Sequence, residues 1–229
     1  MKHLFIIWCL LVCLPLSGQD KKQVRVLFKP VFEGQSVDFE NTWYHLSPGD
    51  SVIFETFKCY ISRITLNNKG VEVYKYEESY FLLNAGDTAS MAISFPVPAS
   101  LVYDELSFNI GIDSATNVFG AMGGALDPTK GMYWAWQSGY INTKLEGRSN
   151  LCATRKNEFH FHLGGYMPPY AAMQRIHLNV HKKETINIYI ALGQFLRSSN
   201  LMVNNSIMIP GREAKELSEK MAQAFAAGE

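Results

Sequence analysis

Tyr60-Ile61-Ser62-Arg63-Ile64-Thr65-Leu66, followed at once by Asn67-Asn68-Lys69-Gly70, reads as a β-strand entering a hairpin turn. Asn and Gly tolerate the positive φ that such a turn demands. Upstream, Ser47-Pro48-Gly49-Asp50 is a turn that leads into apolar Val52-Ile53-Phe54. Further up, Val24, Val26 and Phe28 share one face while Arg25 and Lys29 share the other. Downstream, strand-like runs cover roughly 71–83, 89–95, 105–112, 132–145, 158–163, 175–181 and 185–192. Period-two alternation thus dominates, and short strands punctuated by Gly, Pro and Asn leave no room for the helices of βαβ units. The expected fold is all-β, an antiparallel β-sandwich or open barrel. After Pro210-Gly211 the pattern changes, because Leu217, Met221 and Phe225 recur every four residues. That spacing predicts a short C-terminal helix over 213–226, closing a single domain that spans 19–229.

The 229 residues include 21 Lys plus Arg against 21 Asp plus Glu, with 47% apolar, 13% aromatic and 18% charged residues. Such a chain buries enough apolar surface to order itself. Its balanced, scattered charge gives no basic field, which argues against nucleic acid as a partner. Residues 1–18 place Lys2 before an apolar run from Leu4 to Leu16 and end on Ser17-Gly18. This reads as an export signal peptide, too short for a membrane span, and no other stretch approaches spanning length. The expected location is therefore periplasmic or secreted. Loss of the signal would remove Cys9 and Cys13 and leave Cys59 and Cys152, either as one disulfide or as two buried thiols.

Most of the unusual residues fall in the middle of the chain. Gly111-Ile112-Asp113 with Asn117, then Leu126-Asp127-Pro128, are followed by Gly131-Met132-Tyr133-Trp134-Ala135-Trp136-Gln137-Ser138-Gly139-Tyr140 and by Phe159-His160-Phe161-His162-Leu163-Gly164-Gly165. Taken as a set, these motifs resemble the MbnP-like family, exported proteins named for a periplasmic copper-binding protein associated with methanobactin. The likeness covers roughly 24–226. It implies a β-sandwich-like domain and, in copper-binding relatives, a site of histidine imidazoles with a tryptophan oxidised to kynurenine. The matching positions are Trp134 for the tryptophan and His162 for a histidine. A second histidine belongs two residues after the tryptophan in that arrangement, whereas this chain has Trp136, whose indole N–H cannot ligate a metal.

Shared-face geometry extends the reading. Residues two apart on a strand point the same way, so His160 pairs with His162, and Trp134 with Trp136, while Phe159, Phe161 and Leu163 face opposite. Two imidazoles about 7 Å apart at Cα could converge on one ion, or one could bind while the other orients it. Imidazole suits copper and zinc, and the absence of a carboxylate from this short segment argues against hydrolytic zinc. Equally, a His-x-His pair can be solvated, and a Trp-x-Trp pair can be packing. Asp113, Asn117 and Asp127 are oxygen donors in Gly-rich loops that could hold calcium or cap tight turns. His177 and His181 share a face that reads as solvated. No catalytic motif emerges: Ser138 lacks a G-x-S-x-G elbow, and Glu146 with Glu158 is a carboxylate pair of unknown separation.

The reading is a non-enzymatic, exported metal-binding protein for copper sequestration or delivery. His162 would be the principal ligand, with His160 second, Trp134 a wall or oxidised ligand, and Trp136 a shield. The alternatives are a cell-envelope interaction domain that keeps the fold without metal, acting on an envelope partner not identified by sequence, and a glycan-binding module.

Overall fold

The structure is a computed structural model that describes residues 20–228 apart from 79, 138, 181 and 182. The export signal, Ser138 and His181 lie outside the described residues. In chain order the first strands are β1 (Lys21–Phe32), β2 (Gln35–Ser36), β3 (Trp43–Tyr44), β4 (Val52–Asn68), β5 (Val71–Lys75) and β6 (Tyr80–Asn84). Then come β7 (Ala92–Pro98), β8 (Glu105–Ile110), helix α1 (Ser114–Phe119), β9 (Tyr133–Trp134), β10 (Gly139–Ser149), β11 (Glu158–Gly164) and β12 (Gln174–Asn179). The last elements are β13 (Thr185–Ala191), α2 (Leu192–Ser199), β14 (Ser206–Ile207), α3 (Arg212–Ala222) and β15 (Phe225–Ala227).

The fold is all-β, as expected, with strands in two curled sheets. In the smaller sheet β1 lies between β7 and β13, with β15 beyond β13 and β2 at the end of β1. The larger sheet runs β12-β8-β4-β10-β11-β14, and β3, β5 and β6 also pair with the 17-residue β4. The inward residues of both sheets form the main apolar core, and a second apolar cluster around Tyr60, Trp134 and Tyr140 leaves β4 buried on both faces over part of its length. In the main core Val24, Val26 and Phe28 of β1 meet Phe57, Phe108, Leu145, Phe159 and Phe161, all essentially excluded from solvent.

The structure corrects four details. The sheets are not wholly antiparallel, because β1 pairs parallel to β13 and β11 pairs parallel to β14. The C-terminal helix ends at Ala222, and Phe225, which continues its four-residue apolar spacing, instead pairs with Ile190 as part of β15. The run 132–145 is two strands, β9 and β10, joined by a turn that contains Trp136. Finally, α2 follows β13 directly where strand character was expected up to Leu192. Its buried Leu192, Phe195, Leu196 and Ser199 are helical in spacing, but eight residues are too few for periodicity to show.

Cys59 and Cys152 form no bridge and are separate buried thiols. Cys59 pairs across the sheet with Thr143, whereas Cys152 lies beyond Ser149 at the end of β10. Six residues of strand separate those two positions, roughly 20 Å, far beyond the roughly 7 Å Cα limit for a disulfide. Burial pushes the thiols up to about 12 at Cys59 and about 11 at Cys152. Both cysteines are therefore expected to resist a thiol reagent at neutral pH and to react fully once the protein is unfolded. Intact mass before and after denaturation checks this, and a pre-existing loss of two hydrogens would contradict it.

Candidate metal centre

The outer face of the large sheet carries the chemistry. Leu145, Phe57 and Phe161 are mutual cross-strand partners that turn into the core, so the residues flanking them turn outward. Three rows result across β4, β10 and β11. The first is Thr56, Glu146 and His160; the second is Lys58, Lys144 and His162; the third includes Gly164, opposite Ile141. Register therefore brings Glu146 directly opposite His160, sixteen residues from His162 in sequence, and next to it in space.

His162 Nε2 lies 2.6 Å from Glu146 Oε1, and His160 Nδ1 lies 3.6 Å from the same oxygen. One donor atom from each of Glu146, His160 and His162 lies within 4.8 Å of the others. His162 is buried, at 8% exposure, while Glu146 and His160 keep part of their side chains in solvent. The hydrogen bond with His162 holds the Glu146 carboxyl down to about 2; burial opposes this, and the charges of Lys144, His162 and His160 reinforce it. Glu146 is thus an anion at any physiological pH. The other ring nitrogen of His160 stands 3.7 Å from Glu158 Oε2, a carboxylate placed to orient that ring.

The donor set fits a transition metal. Ligand atoms about 2.0–2.1 Å from a tetrahedral ion stand about 3.3 Å apart, within the span of the observed separations. An ion bound at His162 Nε2 would take the place of the hydrogen bond to Glu146, with the ring's N–H on the other nitrogen. Two imidazoles and one carboxylate also leave at least one coordination position open. The carboxylate missing from the His-x-His segment is supplied by the neighbouring strand, which removes the sequence argument against zinc. No local sequence pattern links Glu146 to the two histidines; only the β10–β11 register brings it to them.

Trp134 sits on β9, opposite Gly139, and its indole reaches the third row: a Cβ on Gly164 would lie 2.8 Å from the six-membered edge of the ring, one row along from His162. Trp134 is buried and walls an apolar cavity of about 240 Å³ with Tyr166, Met167, Pro168, Tyr170 and Pro210. Its ring is 6.3 Å from that of Trp136, which is 64% exposed at the turn between β9 and β10. The two tryptophans are therefore neighbours at different depths and do not form one face of a strand.

The proposed cation-loop residues are spent on local structure. Asp113 caps α1, accepting from the backbone and hydroxyl of Thr116 and from Tyr80. Asn117 donates to the carbonyls of Ile112 and Asp113 and accepts from the Tyr140 backbone N–H. Asp127 caps the next turn through Thr129. These are the turn-capping uses open to such residues, and Asp113→Ala is expected to cost about 1–2 kcal/mol. The loss should be the same with calcium or with a chelator, and thermal melts in both conditions check it. Elsewhere, His177 is paired with Glu105 and Ser107 on β8, away from the cluster.

The structure is thus a curled all-β domain with an imidazole and carboxylate cluster on the outer face of its larger sheet. The MbnP family model matches residues 21–210, and the chain belongs to that family. Its fold is similar to the solved structure of MbnP from Methylosinus trichosporium, with a TM-score of 0.57 at 16% identity, over 82% of this chain and 83% of that one. No curated protein matches the chain in sequence. Among the described residues, no helix is long and apolar enough to cross a membrane.

Proposed function

We propose that this chain is an exported protein that binds a transition metal, copper first, for sequestration or delivery. His162 and His160 supply imidazole nitrogens, Glu146 supplies a carboxylate oxygen, and Trp134 forms the aromatic wall one row along. The convergence of three donor atoms within 4.8 Å carries this reading. Family membership supports it, through the resemblance to exported copper-binding proteins associated with methanobactin. The apolar run of residues 4–16 supports export. Imidazole suits both copper and zinc, and the added carboxylate favours the divalent ions over Cu(I).

The test is metal content of the exported protein from copper-fed cells, together with peptide mapping of Trp134. About one equivalent of copper, with or without kynurenine at Trp134, is the expected result. A metal-free protein that also takes up no copper or zinc in vitro would overturn the proposal. It would favour the interaction-domain reading, for which exposed Trp136, Val118 and Phe119 provide apolar surface.

A further inference from the structure

We propose that the ion is held together with a small oxyanion, of the bicarbonate or phosphate class, which occupies the open coordination position and is retained by Lys144 and Lys58. This inference rests on the metal-binding reading above. Its basis is the second row of the outer face, where Lys144 stands directly opposite His162 and Lys58 directly opposite Lys144. Directly opposed residues have Cβ atoms about 4.5–5.5 Å apart, so an ammonium on a four-carbon stem spans that row readily.

Charge counting gives the ligand its sign. A divalent ion with Glu146 leaves one positive charge. Lys144 and Lys58 add two, and Glu158 is balanced by Lys156 at 3.6 Å, which leaves three positive charges on a partly buried surface. For Cu(I) the same sum leaves two. Glu158 cannot answer Lys144, because it already lies 3.6 Å from Lys156 and 3.7 Å from His160. Among the described residues Lys144 makes no ion pair and no hydrogen bond. Lys58 donates to the Lys130 carbonyl at 2.9 Å, which fixes its ammonium and leaves further N–H donors for an anion. Two like charges on directly opposed residues, in the row that also holds His162, are complementary to an oxyanion. Its oxygens can bind the ion and accept from both ammonium groups.

The experiment uses the full mature chain, stripped of metal and loaded with one equivalent of Cu(II) in an anion-poor zwitterionic buffer. Carbon-13 bicarbonate and phosphate are then titrated separately and followed by electron paramagnetic resonance. The expected result is a saturable spectral change with magnetic coupling between copper and the carbon-13 or phosphorus-31 nucleus, which identifies the anion preferred. Copper affinity should rise about tenfold or more with that anion, as one charge-assisted contact implies. Lys144→Met should lower the affinity for the anion by about the same factor while keeping the copper stoichiometry in anion-poor buffer, and Lys144→Arg should restore most of it. Copper binding with neither coupling nor anion-dependent affinity overturns this inference and leaves the metal reading standing. Failure to bind copper under either condition overturns both. The nuclear coupling in the unsubstituted protein decides the matter even if the lysine variants fold poorly.

Discussion

His162→Ala is expected to abolish stoichiometric metal binding, with affinity falling by more than ~100-fold, since loss of an orienting partner alone costs 10–100-fold at such sites. His162 is the most buried of the three donors and makes the 2.6 Å contact to Glu146. Its removal takes one ligand and frees the carboxylate that it positions. His160→Ala should weaken binding as well, but its ring is more exposed and its contact with Glu146 is longer, at 3.6 Å. Glu146→Gln separates the carboxylate's role from packing, because it keeps the shape and removes the charge. His177→Ala is the control and should leave metal affinity unchanged, since that imidazole is engaged with Glu105 and Ser107. Competition titrations with a chromophoric chelator read all four variants, and retention of full affinity by His162→Ala would remove the site as assigned.

Gly147→Ala is expected to produce the largest loss of stability of any single methyl addition on β10. A Cβ at this position would lie 2.1 Å from the Ile53 carbonyl oxygen and 2.7 Å from the Phe159 ring. The oxygen belongs to the backbone of β4 and cannot swing aside, so the sheet itself must open where β10 crosses β4. Overpacking of a well-filled core costs typically about 1–3 kcal/mol, and backbone contact puts this substitution at or above the top of that range. For a domain of this size that is a fall in melting temperature of roughly 6–12 °C or more. Gly123→Ala meets nothing within 4 Å and should be near neutral beside it. Because Gly147 adjoins Glu146, metal affinity should fall in parallel. Equal melting temperatures for the two variants would refute the close-packing account.

The fold was legible where one physical signal dominated. Val24, Val26 and Phe28 share one face opposite Arg25 and Lys29, and all three are core residues of β1. The His160 and His162 pair was legible for the same reason, with Phe159, Phe161 and Leu163 buried on the opposite face. Elements whose partners lie far away in sequence were not legible. Nothing local distinguishes Phe225 at the end of a helix from Phe225 in a strand, because the choice is made by pairing with Ile190. Glu146 became a candidate ligand only through cross-strand register, since no spacing rule connects it to His160 fourteen residues later. Trp134 and Trp136 look equivalent in sequence, but the chain turns between them, so one ring is covered and the other faces water.

The core and the cluster of Glu146, His160 and His162 are opposite sides of the same three strands, and this has a consequence for how such a domain diversifies. Each outward position on β4, β10 and β11 is a separate address on a grid whose spacing is maintained from behind by Phe57, Leu145 and Phe161. At the half-exposed positions, such as Glu146, His160 and Lys144, a side chain can be exchanged with little repacking of the core behind it. The grid can therefore gain, lose or retune an ion-holding set by isolated substitutions while the scaffold stays constant. Exchange of Lys144 for histidine, for example, would place a third imidazole directly opposite His162, beside the existing cluster.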